Sequence, residues 1–265
     1  MKIPATVTIL TKNSGKTLQK ALDSVKDFDE VIVCDGGSED ETLNIARRNG
    51  THVITQDGQF HDANGKIYDY AGVRNQTLRE AKYNWIFWLD SDEYCEENLI
   101  DAMRAVVAQR GENGKGAFWV NRKYVIDGVV IDCAATYPNR QMRFFAKASI
   151  EGMVKRIHER VKLKEGERAE YLEGFMHIPF NADIREIRSK WDYQIAVAAA
   201  QAAPMNLSTF LEAVMHSAKV SLLWFARLAY NSLFCSGTKM PFRFEMERHY
   251  FHLRLLRALW RVVKL

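Results

Sequence analysis

Four short apolar runs, each followed by a stretch of helical spacing, fill the first 110 residues and limit the fold more than any other feature. The runs are residues 3–10 (IPATVTIL), 30–35 (EVIVCD), 52–55 (HVIT) and 85–90 (WIFWLD). Between them, Leu18, Leu22 and Val25 recur at helical spacing from Lys16 to Lys26. Further helices are expected over 41–49, stopped by Gly50, over 69–82 after a polar stretch, and over 97–109. Runs that are apolar throughout, rather than alternating, suit parallel strands covered on both faces. The expectation is an α/β fold with a Rossmann-like, doubly wound, mostly parallel sheet and right-handed crossovers. In such sheets ligands bind beyond the carboxyl ends of the strands, where Asp35 and Asp90 fall.

The pattern changes near residue 115. Residues 116–126 and 129–132 read as a hairpin about Asp127-Gly128, with further strands over 140–146 and 168–177. From about Asp183 the chain reads as helix, over 183–202, 207–235 and 242–263. The expected division is a domain over 1–182, with halves 1–115 and 116–182, followed by a helical region over 183–265. Few glycines and prolines (15 and 5) argue against long disordered linkers.

The strand end at 90–93 reads Asp-Ser-Asp-Glu. Asp90 and Asp92, at i and i+2 on extended chain, point the same way, and the carboxylates repel unless a cation or proton lies between them. Hard oxygen ligands suit Mg²⁺ or Mn²⁺, and Mg²⁺ completes its shell with water and substrate phosphates. The alternative is a helix N-terminus, with Ser91 as cap and Asp92, Glu93, Glu96 and Glu97 against the positive end of the dipole.

This set, VIVCDGGSEDET followed by DSDE, resembles a family 2 glycosyltransferase of the GT-A fold. The opening TILTKNSGKTLQKALDSV is similar to that family's first strand and helix. The nearest likeness is to enzymes of the lipopolysaccharide inner core, through Val33–Asp40, Arg74-Asn75, Gln141-Met142-Arg143-Phe144, His158-Glu159 and His177. It covers residues 3–180. It implies that Thr11, Asn13, Asp35 and Gly36, with the Gly37-Ser38 turn, cradle base and ribose, Asp35 accepting from a uracil N–H. Asp40 reads as a helix cap. Arg74 would face the diphosphate, Asp90 the ribose and metal, and Asp92 would bind the divalent metal (Mn²⁺ or Mg²⁺). His177, a lone histidine among apolar residues, is either a satisfied core residue or a further metal ligand. An inverting transfer needs a base on the acceptor hydroxyl; Glu159 is the candidate, and an ion pair with Arg156 or Arg160 is its alternative role.

The Q-x-x-R-W motif of processive members is absent, so a single sugar addition is expected. The implied partners are a nucleotide-sugar donor, with uridine diphosphate favoured, and a glycan or glycolipid acceptor. A nucleotidyltransferase is the competing enzyme reading, but TILTKNSGKTL has only Gly15 where that class has a Gly-rich basic loop. A non-catalytic membrane-binding module would leave Asp35, Asp90 and Asp92 unexplained.

The net charge of +4 resides in the tail: residues 239–265 hold seven basic and two acidic residues. The rest of the chain is slightly negative, which argues against a nucleic-acid partner. On a helical wheel, Arg254, Arg257, Arg261 and Lys264 share one face of 251–265, opposite an apolar arc. Such a helix could lie on an anionic membrane surface, or dock on the domain or in a dimer. Residues 220–235 are apolar but interrupted by Arg227, and read as a buried or interfacial helix. Cys34, Cys95, Cys133 and Cys235 form no metal or disulfide spacing pattern. With no signal-peptide run, a cytoplasmic location is expected, with peripheral attachment to the inner membrane face.

Overall fold

Alternate residues of the strands feed two separate hydrophobic cores, as expected of a sheet covered on both faces. In the computed structural model, which describes residues 2–63, 65–156 and 159–264, the chain forms two compact units. The first runs through Lys123 and resumes over 139–178; the second comprises 124–138 and the chain from Pro179 onward. The break expected at 182 therefore falls a few residues earlier, and the tip of the 116–132 hairpin belongs with the C-terminal helices.

The first unit opens with β1 (Ile3–Thr11), α1 (Leu18–Ser24), β2 (Phe28–Asp35), α2 (Thr42–Arg48) and β3 (His52–Thr55). Next come α3 (Tyr70–Glu80), β4 (Trp85–Asp90), the two-residue β5 (Tyr94–Cys95) and α4 (Glu97–Arg110). Strand β6 (Ala117–Ile126) turns at Asp127-Gly128, both at positive φ (49° and 81°), into β7 (Val129–Val130). After these come β8 (Asn139–Ala146), β9 (Ile150–Val154), β10 (Arg160–Leu163) and β11 (Ala169–Pro179).

The main sheet has the order β3-β2-β1-β4-β8-β6-β11-β5, with β7 on β6. Strands β3, β2, β1 and β4 are mutually parallel, and β8 joins β4 antiparallel. Ile3, Ala5, Val7 and Ile9 of β1, with Trp85, Phe87 and Leu89 of β4, pack under α1, α2 and α4. Ile32, Ile86 and Trp88 point the other way, into a core closed by α3 and by the β9–β10 ribbon. Each such side chain contributes about 1.5–3 kcal/mol by burial. The β9–β10 ribbon and β5 are additional to the strands expected from sequence. The helix expected over 69–82 is present, its first turn capped by Asp69, which accepts from the Gly72 N–H at 2.9 Å.

The second unit adds α5 (Ile184–Ala202), α6 (Leu207–Phe234) and α7 (Phe242–Trp260). Its core gathers Ile126, Ile131, Ala134, Ile187, Met240 and Phe244. Helix α5 runs parallel to α7: Arg188 Nε donates to Glu247 Oε2 at 2.8 Å, Trp191 stacks edge-on against Phe251, and Asp192 pairs with Arg254. Helix α6 runs antiparallel to α7, with Phe210 on Trp260, Ser217 on His252 and Trp224 on His249.

Two readings of this region change. Cys133 and Cys235 form a disulfide across 102 positions, a separation that leaves no local spacing signal. In the tail, Arg254 is spent on Asp192, and Phe251 and Leu259 of the apolar arc are packed or buried. Part of the arc is thus used within the unit, while Trp260 at its edge is exposed. Of the buried or interfacial alternatives for residues 220–235, the buried one fails: the segment, the C-terminal half of α6, is half-buried or exposed throughout. Among the described residues no helix is long and apolar enough to cross a membrane.

Candidate active site at the strand ends

The carboxyl ends of β2, β1 and β4 lie side by side, Thr11 opposite Asp35 and Leu10 opposite Asp90. Parallel pairing therefore brings three of the expected residues to one rim.

On the β2 side, the Asp35 carboxylate is buried and folds the turn after it. Its Oδ1 accepts from Thr11 Oγ1 at 2.9 Å and Ser38 Oγ at 2.5 Å; its Oδ2 accepts from the Gly37 and Ser38 N–H groups at 2.9 and 2.8 Å. Four donors occupy both oxygens, so Asp35 shapes the pocket wall here rather than offering a vacant acceptor to a base. Asn13, at φ 52°, donates its N–H to Ser38 Oγ and accepts from the Glu39 N–H, locking the first loop to the second. Gly36 lies against Gln56: a Cβ there would lie 2.7 Å from Gln56 Oε1, so the Gln56 side chain would have to shift. Gln56, buried just after β3, donates to the carbonyls of Cys34 and Thr11 and ties the ends of β1 and β2 to that of β3. Asp40 accepts from the Thr42 and Gly15 N–H groups, and the Thr42 hydroxyl bond foremost holds its carboxyl below the usual range.

On the β4 side the cations that separate the carboxylates are arginines. Asp90 accepts from Arg74 and, at 2.8 Å, from Arg143 Nη2, with Trp88 Nε1 at 3.1 Å. Glu93, 3% exposed, receives Arg143 Nη2 at 3.2 Å and Arg122 Nη1 at 3.5 Å. Both Arg74 and Arg143 stack on the Trp88 ring, 4.2 and 4.1 Å from its centroid. Burial pushes Asp90 up, but Arg143 and Arg74 outweigh it and hold the carboxyl well below the usual range. Burial pushes Glu93 up to about 7, Asp90 reinforcing the shift against Arg143. Of the helix-terminus alternative, Ser91 as cap fails, because α4 begins at Glu97 and Ser91 is instead 2.9 Å from Ser14 Oγ; Glu96 and Glu97 do stand at the start of α4, as that alternative had them.

Arg74 is buried, and burial lowers its pKa from the ordinary guanidinium value. Its Nε lies 3.5 Å from Glu159 Oε1, an ion pair without hydrogen-bond geometry, and among the described residues Nε and Nη1 have no hydrogen-bond partner. Asn75, next in the helix, clamps the β9 backbone: its Nδ2 donates to the Met153 carbonyl at 2.9 Å and its Oδ1 accepts the Met153 N–H at 2.8 Å. That clamp ties the helix carrying Arg74 to the ribbon that follows into Glu159. Glu159 thus pairs with Arg74, not with the Arg156 or Arg160 considered from sequence. His158 lies outside the described residues.

Asp92 is exposed. His177 is buried beside Tyr94, its Nε2 bonded to Glu96 Oε1 at 2.6 Å and its Nδ1 without a partner. Among the described residues, no three His, Cys, Asp or Glu side chains converge as a ready metal cage. The residues do suit an ion that arrives with phosphate: Asp92 is an exposed hard donor on the same rim as a buried guanidinium with vacant N–H groups. Sequence reasoning missed Glu93, Arg143, Arg122 and Gln56 as site residues. Arg143 had been visible only as part of Gln141-Met142-Arg143-Phe144.

The family model described as Glycosyl transferase family 2 matches residues 6–182, two thirds of the chain, and the protein belongs to that family. An uncharacterised glycosyltransferase of Rickettsia bellii is 30% identical over 106 residues, 40% of this chain and 33% of that protein. The SPbeta prophage-derived glycosyltransferase SunS of Bacillus subtilis is 33% identical over 92 residues, 34% and 20% of the two chains. The matches thus span a third or less of these relatives' lengths. Among solved structures, S. aureus TarS 1–349 in complex with UDP-GlcNAc aligns with a TM-score of 0.47 at 16% identity, covering 99% of this chain and 90% of that one. Glucosyl-3-phosphoglycerate synthase from Mycobacterium tuberculosis, in complex with Mn²⁺, UDP and glucosyl-3-phosphoglycerate, aligns with a TM-score of 0.34 at 21% identity, covering 46% and 44%.

Proposed function

We propose that the protein is an inverting, non-processive glycosyltransferase. It moves one sugar from a nucleotide-sugar donor, a uridine diphosphate sugar, to a hydroxyl of a cell-envelope glycan such as lipopolysaccharide core. The observation that carries this reading is Arg74: a buried guanidinium with two unpartnered nitrogens, between the rim carboxylate Asp90 and the carboxylate Glu159. Unsatisfied buried donors are costly, and a diphosphate oxygen would satisfy them bidentately.

In this reading the nucleoside lies over the Thr11–Asp35 wall and the Gly36-Gly37 turn, with the ribose toward the exposed edge of Asp90, whose side chain is 35% exposed. The acceptor hydroxyl attacks the anomeric carbon from the side opposite the diphosphate. Its proton passes to a Glu159 carboxylate oxygen as the new C–O bond forms. The bond to the leaving diphosphate oxygen breaks, and Arg74 takes up the charge that develops there. Asp92 would hold a divalent cation whose remaining ligands come from the diphosphate; when bound, that ion supplies Lewis-acid stabilisation of the leaving group. His177, held through Nε2 by Glu96, would add a nitrogen only through Nδ1. The envelope acceptor rests on the likeness to inner-core enzymes, and single addition on the missing Q-x-x-R-W.

The test is thermal unfolding with UDP, with Mn²⁺, and with both. Ligand at one hundred times Kd should add about 2.7 kcal/mol, a clear rise in midpoint. Asp92→Asn should lose only the cation-dependent part of the rise, and Arg74→Met most of the UDP-dependent part. If neither UDP nor another nucleoside diphosphate moves the midpoint, the reading is wrong.

A further inference from the structure

Helices α6 and α7 show solvent a surface that the transferase reading does not use. Met215, Leu222 and Leu233 of α6 are 72%, 72% and 76% exposed, with Leu207, Leu211 and Phe225 also exposed. At 100° per residue from Leu207, these six fall within an arc of about 80° along the 28-residue helix, while Leu223, Tyr230 and Phe234, exposed as well, lie beyond it on the other flank. The α7 contacts Phe210, Ser217 and Trp224 lie about 120° away from the middle of that arc, and Phe225, at the edge of the arc, also stacks on His249 of α7. On α7 the exposed residues are Phe242, Tyr250, Leu253 and Trp260, interleaved with Arg243 and Arg257 and bordered by Arg261, in an arc of about 100°. That arc is centred roughly 100° from the α6 contact line, in the same sense of rotation. Because the two helices are antiparallel, arcs displaced in the same sense fall on one side of the pair. The apolar stripe of α6 and the aromatic, basic face of α7 therefore form one continuous surface.

Its charge selects the occupant. Over residues 206–264 the exposed charged side chains are Lys219, Lys239, Arg243, Arg257, Arg261 and Lys264 against Glu212. Glu245 and Glu247 are buried. A second copy would bring the same positive charge to a two-fold contact, which disfavours self-association. An anionic bilayer answers both properties: apolar side chains enter the acyl boundary, tryptophan and tyrosine sit at headgroup level, and the arginines meet lipid phosphate.

We infer that α6 and α7 together seat the protein on an anionic membrane surface, lying in the headgroup layer without crossing it. This stands apart from the transferase reading, since none of these residues lies at the strand-end rim.

The experiment is co-sedimentation of the full chain with vesicles of phosphatidylcholine alone, or with about one lipid in three replaced by phosphatidylglycerol. The chain should pellet with the anionic vesicles and stay in the supernatant with the neutral ones, and added salt should weaken the association. Leu222→Gln with Leu233→Gln, and separately Arg257→Glu with Arg261→Glu, should each reduce binding by roughly tenfold or more. Both pairs are exposed, so helical circular dichroism and UDP-dependent thermal shift should be retained. Three results overturn the inference: no pelleting with anionic vesicles, pelleting indifferent to both pairs, or light scattering that shows a dimer dissolved by the Leu222/Leu233 pair.

Discussion

Arg143 is among the largest fully buried side chains, and its charge is what allows Asp90 and Glu93 to share one strand end. Removing one partner of a buried ionic cluster leaves the others desolvated and uncompensated. Arg143→Met should therefore cost about 3–5 kcal/mol in urea unfolding. Arg143→Lys should fall between the variant and the wild type, because it restores the charge without the fork that reaches both carboxylates. A cost under about 1 kcal/mol for Arg143→Met would mean the cluster is solvated and not the buried network described. That a cation or a proton must lie among Asp90, Asp92 and Glu93 was legible in the sequence from repulsion alone. Its identity was not, because Arg143 comes from a strand 53 positions later and Arg74 from a helix 16 positions earlier. Asp35 teaches the same lesson in reverse. Its place at the strand end was readable, but the four donors that occupy it come partly from the turn it folds and partly from Thr11 across the sheet.

At the scale of elements, long periodic segments were readable and short paired ones were not. The four apolar runs became β1 to β4, and three helices were foreseen in the C-terminal region because periodicity accumulates over many residues. The β9–β10 ribbon gave no such signal: its strands have five and four residues, Gly152 sits inside the first, and each is half-exposed. Yet this ribbon leads into Glu159, and Asn75 fixes it to α3 through both the N–H and the carbonyl of Met153. Asn75→Ala should leave both backbone groups seeking water, at a cost of about 1–3 kcal/mol. If Glu159 acts on the acceptor while UDP rests on the opposite loops, the variant should lower the transfer rate with little change in UDP affinity. Equal loss of both would show that the clamp serves the whole rim and not the ribbon alone.

Across the molecule, two compact units divide the chain, and the second carries a covalent tie the first lacks. The Cys133–Cys235 disulfide closes a loop of 102 positions that contains β8 to β11 of the first unit together with α5 and α6 of the second. In the chain-entropy account, a cross-link over about 100 residues limits the unfolded state by roughly 4–5 kcal/mol. Both half-cystines belong to the second unit, just after β7 and just beyond α6, so its unfolding is the event the bond opposes most directly. Reduction, or the Cys133→Ser/Cys235→Ser pair, should therefore speed amide exchange in α5, α6 and α7 before it affects β1, β2 and β4. Those strands have their own core of Ile3, Val7, Ile9, Trp85 and Phe87, which contains neither cysteine. Hydrogen exchange followed by mass spectrometry checks this, with and without reductant. Protection lost together in both units would show that they unfold as one, with the bond stabilising the entire chain. Unchanged protection in the helices would mean that the bond adds nothing to a bundle already held by Arg188–Glu247, Asp192–Arg254 and the Trp191–Phe251 contact.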